Sequence, residues 1–584
     1  MGGPISQFFP LTNFHFKVRI ISVSYCVQRS FILNNEGSVV NIVPILTAGY
    51  GALAAGYNSF KRSITAITSP DDRSPTPAHL RSDGADYVPT RPTVLFGHHW
   101  MSIAGTSPII ASIVGLVWGW GPALLWMVLG VIFIGGVHDY FALMVSVRHQ
   151  GKSMGEVVRE TLGSFSGTLA SVVLAFGGIL VYAIFLSVIA GALAKNPTAA
   201  IPTLALIPLA VFCGYLLKRG VSLIIATAIG VALALMFLAR GIQYPLMATP
   251  IQLWGGEFHL FSEGFWIYFF VLYTFSAIST PVWALLQPRD YLNSAVLVIG
   301  LLLGIGGILV GIPSVKFPFF NGFSSSVRGP LWPMLFVTIS CGAASGWHSL
   351  IAAGTTSKQL DRESHGFRIA YGGMMGETVM AFLSASLIIT TFSYQEFLAT
   401  GLSSSSIGEL FASALGAAMS HLGISPLTGS TLGAVALAAL TMTTLDSFAR
   451  TSRYVLQEIG SRTPLRRPLV SAIIVTLSGF LLYKFVPFMD LWNGLVLGGL
   501  LLLVLPFVII IIERKKATQP KPVPYFLHLI LPLVFLYPTT IAGLLYLLYI
   551  YMKSGNWASS GLNLLLIVLA ISLTIQSWRR LRVS

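Results

Sequence analysis

Charge is what this chain most lacks. Asp, Glu, Lys and Arg make up 9% of its 584 residues, against about a quarter of an average soluble domain. So little charge could not keep a water-facing surface of this size dissolved, which excludes a soluble globular protein. Cysteine is almost absent as well. Cys26, Cys213 and Cys341 lie far apart with no CxxC pair, which excludes a disulfide framework and a cysteine-built zinc cluster. Residues 1–39 lack the compact basic–apolar–small order of a cleavable signal peptide. The net charge of +15 is scattered over many short loops instead of one stripe, so nucleic acid is not an expected partner.

What the chain has instead is apolar length. Its mean hydropathy is +0.78. Roughly fifteen runs approach the ~20 residues that cross a bilayer as a helix. They are expected near 39–59, 97–116, 122–147, 167–193, 201–217, 221–239, 265–286, 292–312, 331–353, 369–391 and 427–445. Four more follow near 469–486, 491–512, 526–551 and 562–578, and a short or re-entrant helix near 407–419. The loops alternate between basic and charge-poor. About 26 of the 35 Lys and Arg fall on one side, which the positive-inside rule makes cytoplasmic, with the C-terminus there too. The expectation is an all-α polytopic membrane protein. Its segments are an unassigned 1–38, a first helix and linker over 39–96, two five-helix units over 97–240 and 265–446, and four further helices with a basic tail over 467–584.

Two spans carry mid-helix breakers. The run from Gly97 contains Gly105-Thr106-Ser107-Pro108, and the run from Phe265 contains Ser279-Thr280-Pro281. Proline removes a backbone donor and clashes with the preceding turn. Five spans separate the two breaks, so they enter the membrane from opposite sides, as an inverted five-plus-five repeat of the LeuT/APC type requires. Such breaks free main-chain groups for a substrate at mid-membrane, making Gly105, Thr106, Ser107, Ser279 and Thr280 candidate binding residues. A neighbouring helix absorbing two kinks is the simpler alternative. Small and hydroxyl residues crowd Ser340-Cys341-Gly342-Ala343-Ala344-Ser345-Gly346-Trp347-His348. They suit close helix packing, and they also place Ser340, Ser345 and His348 where they could line a site.

Ionisable residues within spans are costly and mark pathways or partners. Glu377 is the leading proton carrier, with Asp139 and His98 as further candidates. Asp139, Asp290 and Asp446 also have Arg148, Arg289 and Arg450 close in sequence as helix-end partners. His98 and His99 are adjacent, so their side chains point about 100° apart and seldom share an ion; no metal site and no cofactor are expected.

Several longer motifs carry a resemblance. They are Pro75-Thr76-Pro77-Ala78-His79, Asp83-Gly84-Ala85-Asp86-Tyr87-Val88-Pro89-Thr90, Leu95-Phe96-Gly97-His98-His99, Gly136-Val137-His138-Asp139-Tyr140 and Gln287-Pro288-Arg289-Asp290-Tyr291-Leu292. To these add Ser340 through His348, Ala370-Tyr371-Gly372-Gly373-Met374-Met375-Gly376-Glu377, and Thr444-Leu445-Asp446-Ser447-Phe448-Ala449-Arg450 with Arg453-Tyr454. Over about residues 40–510 the chain resembles the carbon starvation protein A family of prokaryotic inner-membrane transporters. The resemblance implies uptake of pyruvate or peptides, coupled to protons, in a fold related to the amino acid–polyamine–organocation superfamily. His138 and Trp347 stand where the resemblance leads one to expect Gln and Phe.

The expected function is therefore secondary active import of a small carbon source by alternating access, with H+ as coupling ion and Na+ as the other candidate. A membrane-embedded sensor of the same solutes, a channel and a membrane-embedded hydrolase are the rivals. The hydrolase has the least support, since no nucleophile–base spacing is present. Expected partners are the solute and the lipid bilayer.

Overall fold

The computed structural model describes residues 40–253, 256–281, 285–402, 404–460, 462–516 and 525–583. The predicted segment 1–38 lies outside them. Almost every described element is a helix. The principal ones, in chain order, are α1 (Ile42–Thr68), α2 (Pro92–Ala104), α3 (Ser107–Gly115), α4 (Trp120–Arg148), α5 (Ser164–Lys195), α6 (Pro197–Lys218) and α7 (Leu223–Gln243). An antiparallel hairpin, β1 (Thr249–Leu253) with β2 (Gly256–Leu260), precedes α8 (Glu263–Ser279) and α9 (Leu286–Gly311). Then come α10 (Leu331–Thr338), α11 (His348–Ile351), α12 (Gly372–Thr391), α13 (Ser404–Ser420), α14 (Pro426–Ile459), α15 (Pro468–Phe485), α16 (Phe488–Lys516), α17 (Leu531–Lys553) and α18 (Trp557–Val583).

Local chemistry sets many of the boundaries. Pro92, Pro197, Pro426 and Pro468 open their helices, where the missing N–H costs nothing because the first turn has no intrahelical acceptor. Ser222, Ser262 and Ser425 cap α7, α8 and α14 by accepting the amides of Ile225, Phe265 and Thr428, replacing bonds the first turn cannot make. Among the described residues eleven helices are long and apolar enough to cross a membrane, or twelve if the bent pair α2–α3 counts as one span.

Burial sorts these helices. The inner ones are α4, α5, α12, α14 and α16, while α7 and α15 turn most of their apolar surface outward, as lipid-facing helices do. Within the inner set α14 stands out. It buries Thr441, Thr443, Thr444, Asp446, Ser447 and Arg450, a polar content that hydrocarbon would not tolerate without partners. The functional side chains gather around it.

Two expectations change here. The span predicted over 265–286 ends as a helix at Ser279, with Thr280 extended, so the Ser-Thr-Pro motif closes a helix instead of interrupting one. Arg450 supplies the reason. Its guanidinium donates to the carbonyls of Ala277 and Thr280 at the end of α8, neutralising groups that a helix C-terminus leaves without partners. The predicted continuous span 331–353 is interrupted instead: residues 339–347 leave the helical path between α10 and α11.

Candidate functional site

At the first interruption α2 and α3 meet at an angle of 48°. Gly105 adopts φ +49°, ψ −155°, a region essentially closed to residues with a Cβ. A Cβ there would also fall 2.6 Å from the Thr444 hydroxyl. α14 stitches the break together. The Thr444 hydroxyl lies 3.4 Å from the carbonyls of Met101 and Ser102, the Thr441 hydroxyl 3.5 Å from that of Thr106, and Ser447 bonds Ser102 at 3.0 Å. Carbonyls freed by the kink thus find donors on the neighbouring helix, as buried backbone requires.

The second interruption, 339–347, turns on Gly342 at φ +91°. A Cβ on Gly342 would sit 2.9 Å from Ala381 of α12 and 3.3 Å from Pro108 of α3. The two interruptions therefore touch. Between them the Cys341 thiol interacts with the hydroxyls of Ser107 from the first break and of Ser340 and Ser345 from the second. The Cys341–Ser345 separation is 3.7 Å. The three serines are buried, whereas Cys341 keeps part of its surface open.

Below this junction a line of buried acids and imidazoles crosses three helices. Glu377 on α12 accepts the Gly342 amide at 2.9 Å, and its other oxygen lies 3.3 Å from His348 Nε2 at the start of α11. His348 Nδ1 lies 2.8 Å from Asp139 of α4, and Asp139's second oxygen lies 2.8 Å from His138 Nδ1. All four side chains are buried. A lone carboxylate in such surroundings is very costly, so pairing with imidazole is what makes two acids tenable here. Alternating carboxylate and imidazole groups are also what a proton needs in order to change hosts.

The structure thus brings Ser107, Ser340, Ser345, His348, Glu377 and Asp139 into one site, with Gly105 and Thr106 at its α14 edge. Asp139 pairs with the two histidines and not with Arg148, which turns to Glu363 and the carbonyl of Thr68. Ser279 and Thr280 do not join. They are exposed at the end of α8, and their hydroxyls donate back to Phe275 and Ala277. His98 belongs to a second cluster: it lies 2.7 Å from Asp290, which pairs with Arg289 at 2.6 Å. Arg289 also grips Asp446, to which Tyr273 donates at 3.0 Å. Asp446 therefore pairs with Arg289 of another helix and not with Arg450, one turn along its own. His99 bonds Thr356 at 2.8 Å, so the two adjacent histidines serve different helices. Among the described residues no group of three or more His, Cys, Asp or Glu converges on a metal position.

Sequence reasoning missed Cys341, Gly342, Thr378, Thr441 and Thr444 as parts of the site. The signal for Gly342 was there, a glycine amid hydroxyls in a span, but small residues are equally the signature of close packing. The residues read as departures from the family pattern are accommodated. Trp347 donates to the Leu495 carbonyl, and its indole occupies a slot left by Gly177, Gly498 and Gly499.

The linker before α2 closes the basic end of this assembly. Asp86 receives Tyr454 and lies 3.3 Å from Arg450, and Thr76 donates to Leu360. Burial pushes the Asp83 carboxyl up, but the amides of Ala85, Tyr87 and Asp86 outweigh it and hold the group below the usual carboxylate range.

A family model described as carbon starvation protein CstA matches residues 41–424, which hold both interruptions and the whole acid–imidazole line. The chain belongs to this family. The CstA family member named peptide transporter CstA from Mycobacterium tuberculosis strain H37Rv is 36% identical over 60% of this chain and 47% of its own length. The Escherichia coli K12 protein named pyruvate/proton symporter BtsT is 34% identical over 60% of this chain and 50% of its own. The Bacillus subtilis strain 168 peptide transporter CstA is 28% identical over 92% of this chain and 98% of its own. Against the first two, the chain spans about half the length of the CstA family relatives it matches. Its fold is similar to that of a manganese transporter from Eremococcus coleocola, with a TM-score of 0.51 and 13% identity over 85% of this chain and 99% of that one.

Proposed function

We propose that the chain is a secondary active transporter that carries a small carboxylate or short peptide together with a proton. The observation that carries this reading is the meeting of two interrupted helices at Cys341, directly against the Glu377–His348–Asp139 line. Helix breaks lined with hydroxyls suit a solute, and a buried carboxylate within reach suits a proton. A carboxylate substrate is held by the hydroxyls of Ser107, Ser340 and Ser345. The relatives' names, peptide transporter and pyruvate/proton symporter, support a carrier, and no observation favours the sensor.

In this reading the two-fold repeat starts at the interruptions themselves. Each interrupted helix, α2–α3 or α10–α11, is followed by a long helix with a π-helical turn, Val131–Gly135 in α4 and Phe367–Tyr371 before α12. α4 packs on α11 through Asp139 and His348, and α12 packs on the other break through the seat that Ala381 and Pro108 make for Gly342. The second unit then opens near Leu331 and not at 265. Counting α1, α8 and α10–α11 as spans restores about fifteen crossings. The basic loops and the C-terminus lie in the cytoplasm of a prokaryote, and the Arg289 and Arg450 clusters close that side.

The test is uptake into proteoliposomes of labelled pyruvate or a labelled dipeptide, with and without an inwardly directed proton gradient made by acidifying the outside. Concentrative uptake that follows the acid step supports the proposal. Uptake indifferent to uncouplers, or binding without transport, refutes it.

A further inference from the structure

We propose that this protein holds one anionic phospholipid in a lateral groove beside α12, its acyl chain against the helices and its phosphate among three unpaired cations. The groove is open along one side, has a volume of about 450 Å³ and is walled by α1, α2, α9 and α12, through residues such as Ala54, Tyr57, Phe96, Ile305 and Gly372. It exists because α1 and α12 pack closely at one level and part at the next. Higher up, Gly49 lets the Phe382 ring press against α1, and Tyr50 reaches the Val379 carbonyl at 3.4 Å. Lower down, Ala54 and Gly372 are too small to fill the gap.

One end of this otherwise apolar groove is charged. Arg368 lines it and is exposed. Lys61 lies one turn beyond Tyr57 on α1, on the same face, and is exposed as well. Arg91 caps α2. The backbone bridge from Thr90 to Leu360 sets that cap beside the start of the segment carrying Arg368. No ion pair joins any of the three to an acid among the described residues, and all three are exposed at the same end of the groove. An apolar channel ending in unpaired cations at one level of the membrane matches a two-part ligand, a hydrocarbon tail and an anionic phosphate. A free solute would not need the tail half, and a zwitterionic lipid would not use the excess charge. The groove's wall includes Gly376, next to Glu377 in the chain, so its occupant presses on the seam between α2 and α12. The site requires only that the bundle spans a bilayer, and it stands or falls apart from the transport proposal.

The full-length protein is delipidated in detergent and titrated with phosphatidylglycerol or phosphatidylcholine, with bound lipid counted by native mass spectrometry. One phosphatidylglycerol should be retained under activation that strips phosphatidylcholine. Arg368→Gln and Lys61→Gln should each lower that preference about fivefold, as expected for one cation near an anionic headgroup. Gly372→Leu should exclude the lipid by filling the groove. A Cβ at Gly372 meets Phe96 at 3.5 Å and Tyr57 at 3.7 Å, ordinary contacts, so the new side chain starts without a clash and extends into the groove; its folding is checked by thermal unfolding. Equal retention of both lipids, no response to any of the three substitutions in folded protein, or displacement by glycerol phosphate alone would each overturn the proposal.

Discussion

Glu377 accepts the amide of Gly342 at 2.9 Å, and its neighbour Thr378 donates to the Gly342 carbonyl at 2.8 Å. Two consecutive residues of α12 thus hold both main-chain groups of the pivot of the second interruption. A protonated carboxyl accepts a hydrogen bond less well than a carboxylate. Protonation of Glu377 is therefore expected to loosen the segment around Gly342.

Glu377→Gln retains an oxygen for the Gly342 amide but cannot titrate. Gradient-driven accumulation should be abolished in proteoliposomes while exchange of labelled for unlabelled solute persists. Accumulation equal to that of the parent protein would remove Glu377 from the coupling.

Gly105→Ala combines a forbidden backbone conformation with a Cβ pressed on Thr444. It should cost about 1–3 kcal/mol, measured as lowered thermal stability in detergent. Thr444→Ala in the same chain should recover only the steric part, because the conformational strain of residue 105 remains.

Arg289, Asp290 and Asp446 are fully buried, so removing one partner strands the other. Asp446→Asn should destabilise by about 3–5 kcal/mol. Asp446→Asn with Arg289→Gln should cost less than the two single changes summed, which a double-mutant cycle of unfolding free energies would record.

At Gly177 a Cβ would fall 1.7 Å from the Trp347 indole. Gly177→Ala should destabilise by at least about 1–3 kcal/mol, and Trp347→Phe should restore much of the loss by emptying the slot. Thermal unfolding of the single and double variants decides this.

The helices were largely legible in the sequence because a bilayer imposes length and apolarity on each one separately. Expected and observed spans agree closely from α4 through α7 and again from α15 to α18. The break at Gly105–Pro108 was legible for a local reason, since glycine and proline break helices wherever they stand. The break at 339–347 was not. It lacks a proline, and its small residues would equally suit a tightly packed straight helix, so its shape is decided by distant residues such as Glu377 and Thr378 on another helix. Ser279-Thr280-Pro281 misled for the converse reason: a breaker marks an end as well as an interruption, and Arg450, 170 residues on from Thr280, settles which. Partner choice was likewise hidden. Asp446 stands one turn from Arg450, yet Arg289 of α9 claims it.

Cys341 offers the most direct test, because it lies where the two interruptions meet and keeps part of its surface open, whereas Cys213 is buried. In a Cys26→Ser background, its rate of modification by a small polar thiol reagent should fall when transported solute is present, and full modification should stop uptake. A rate unchanged by saturating solute, with transport intact after complete labelling, would contradict a solute site between the interrupted helices.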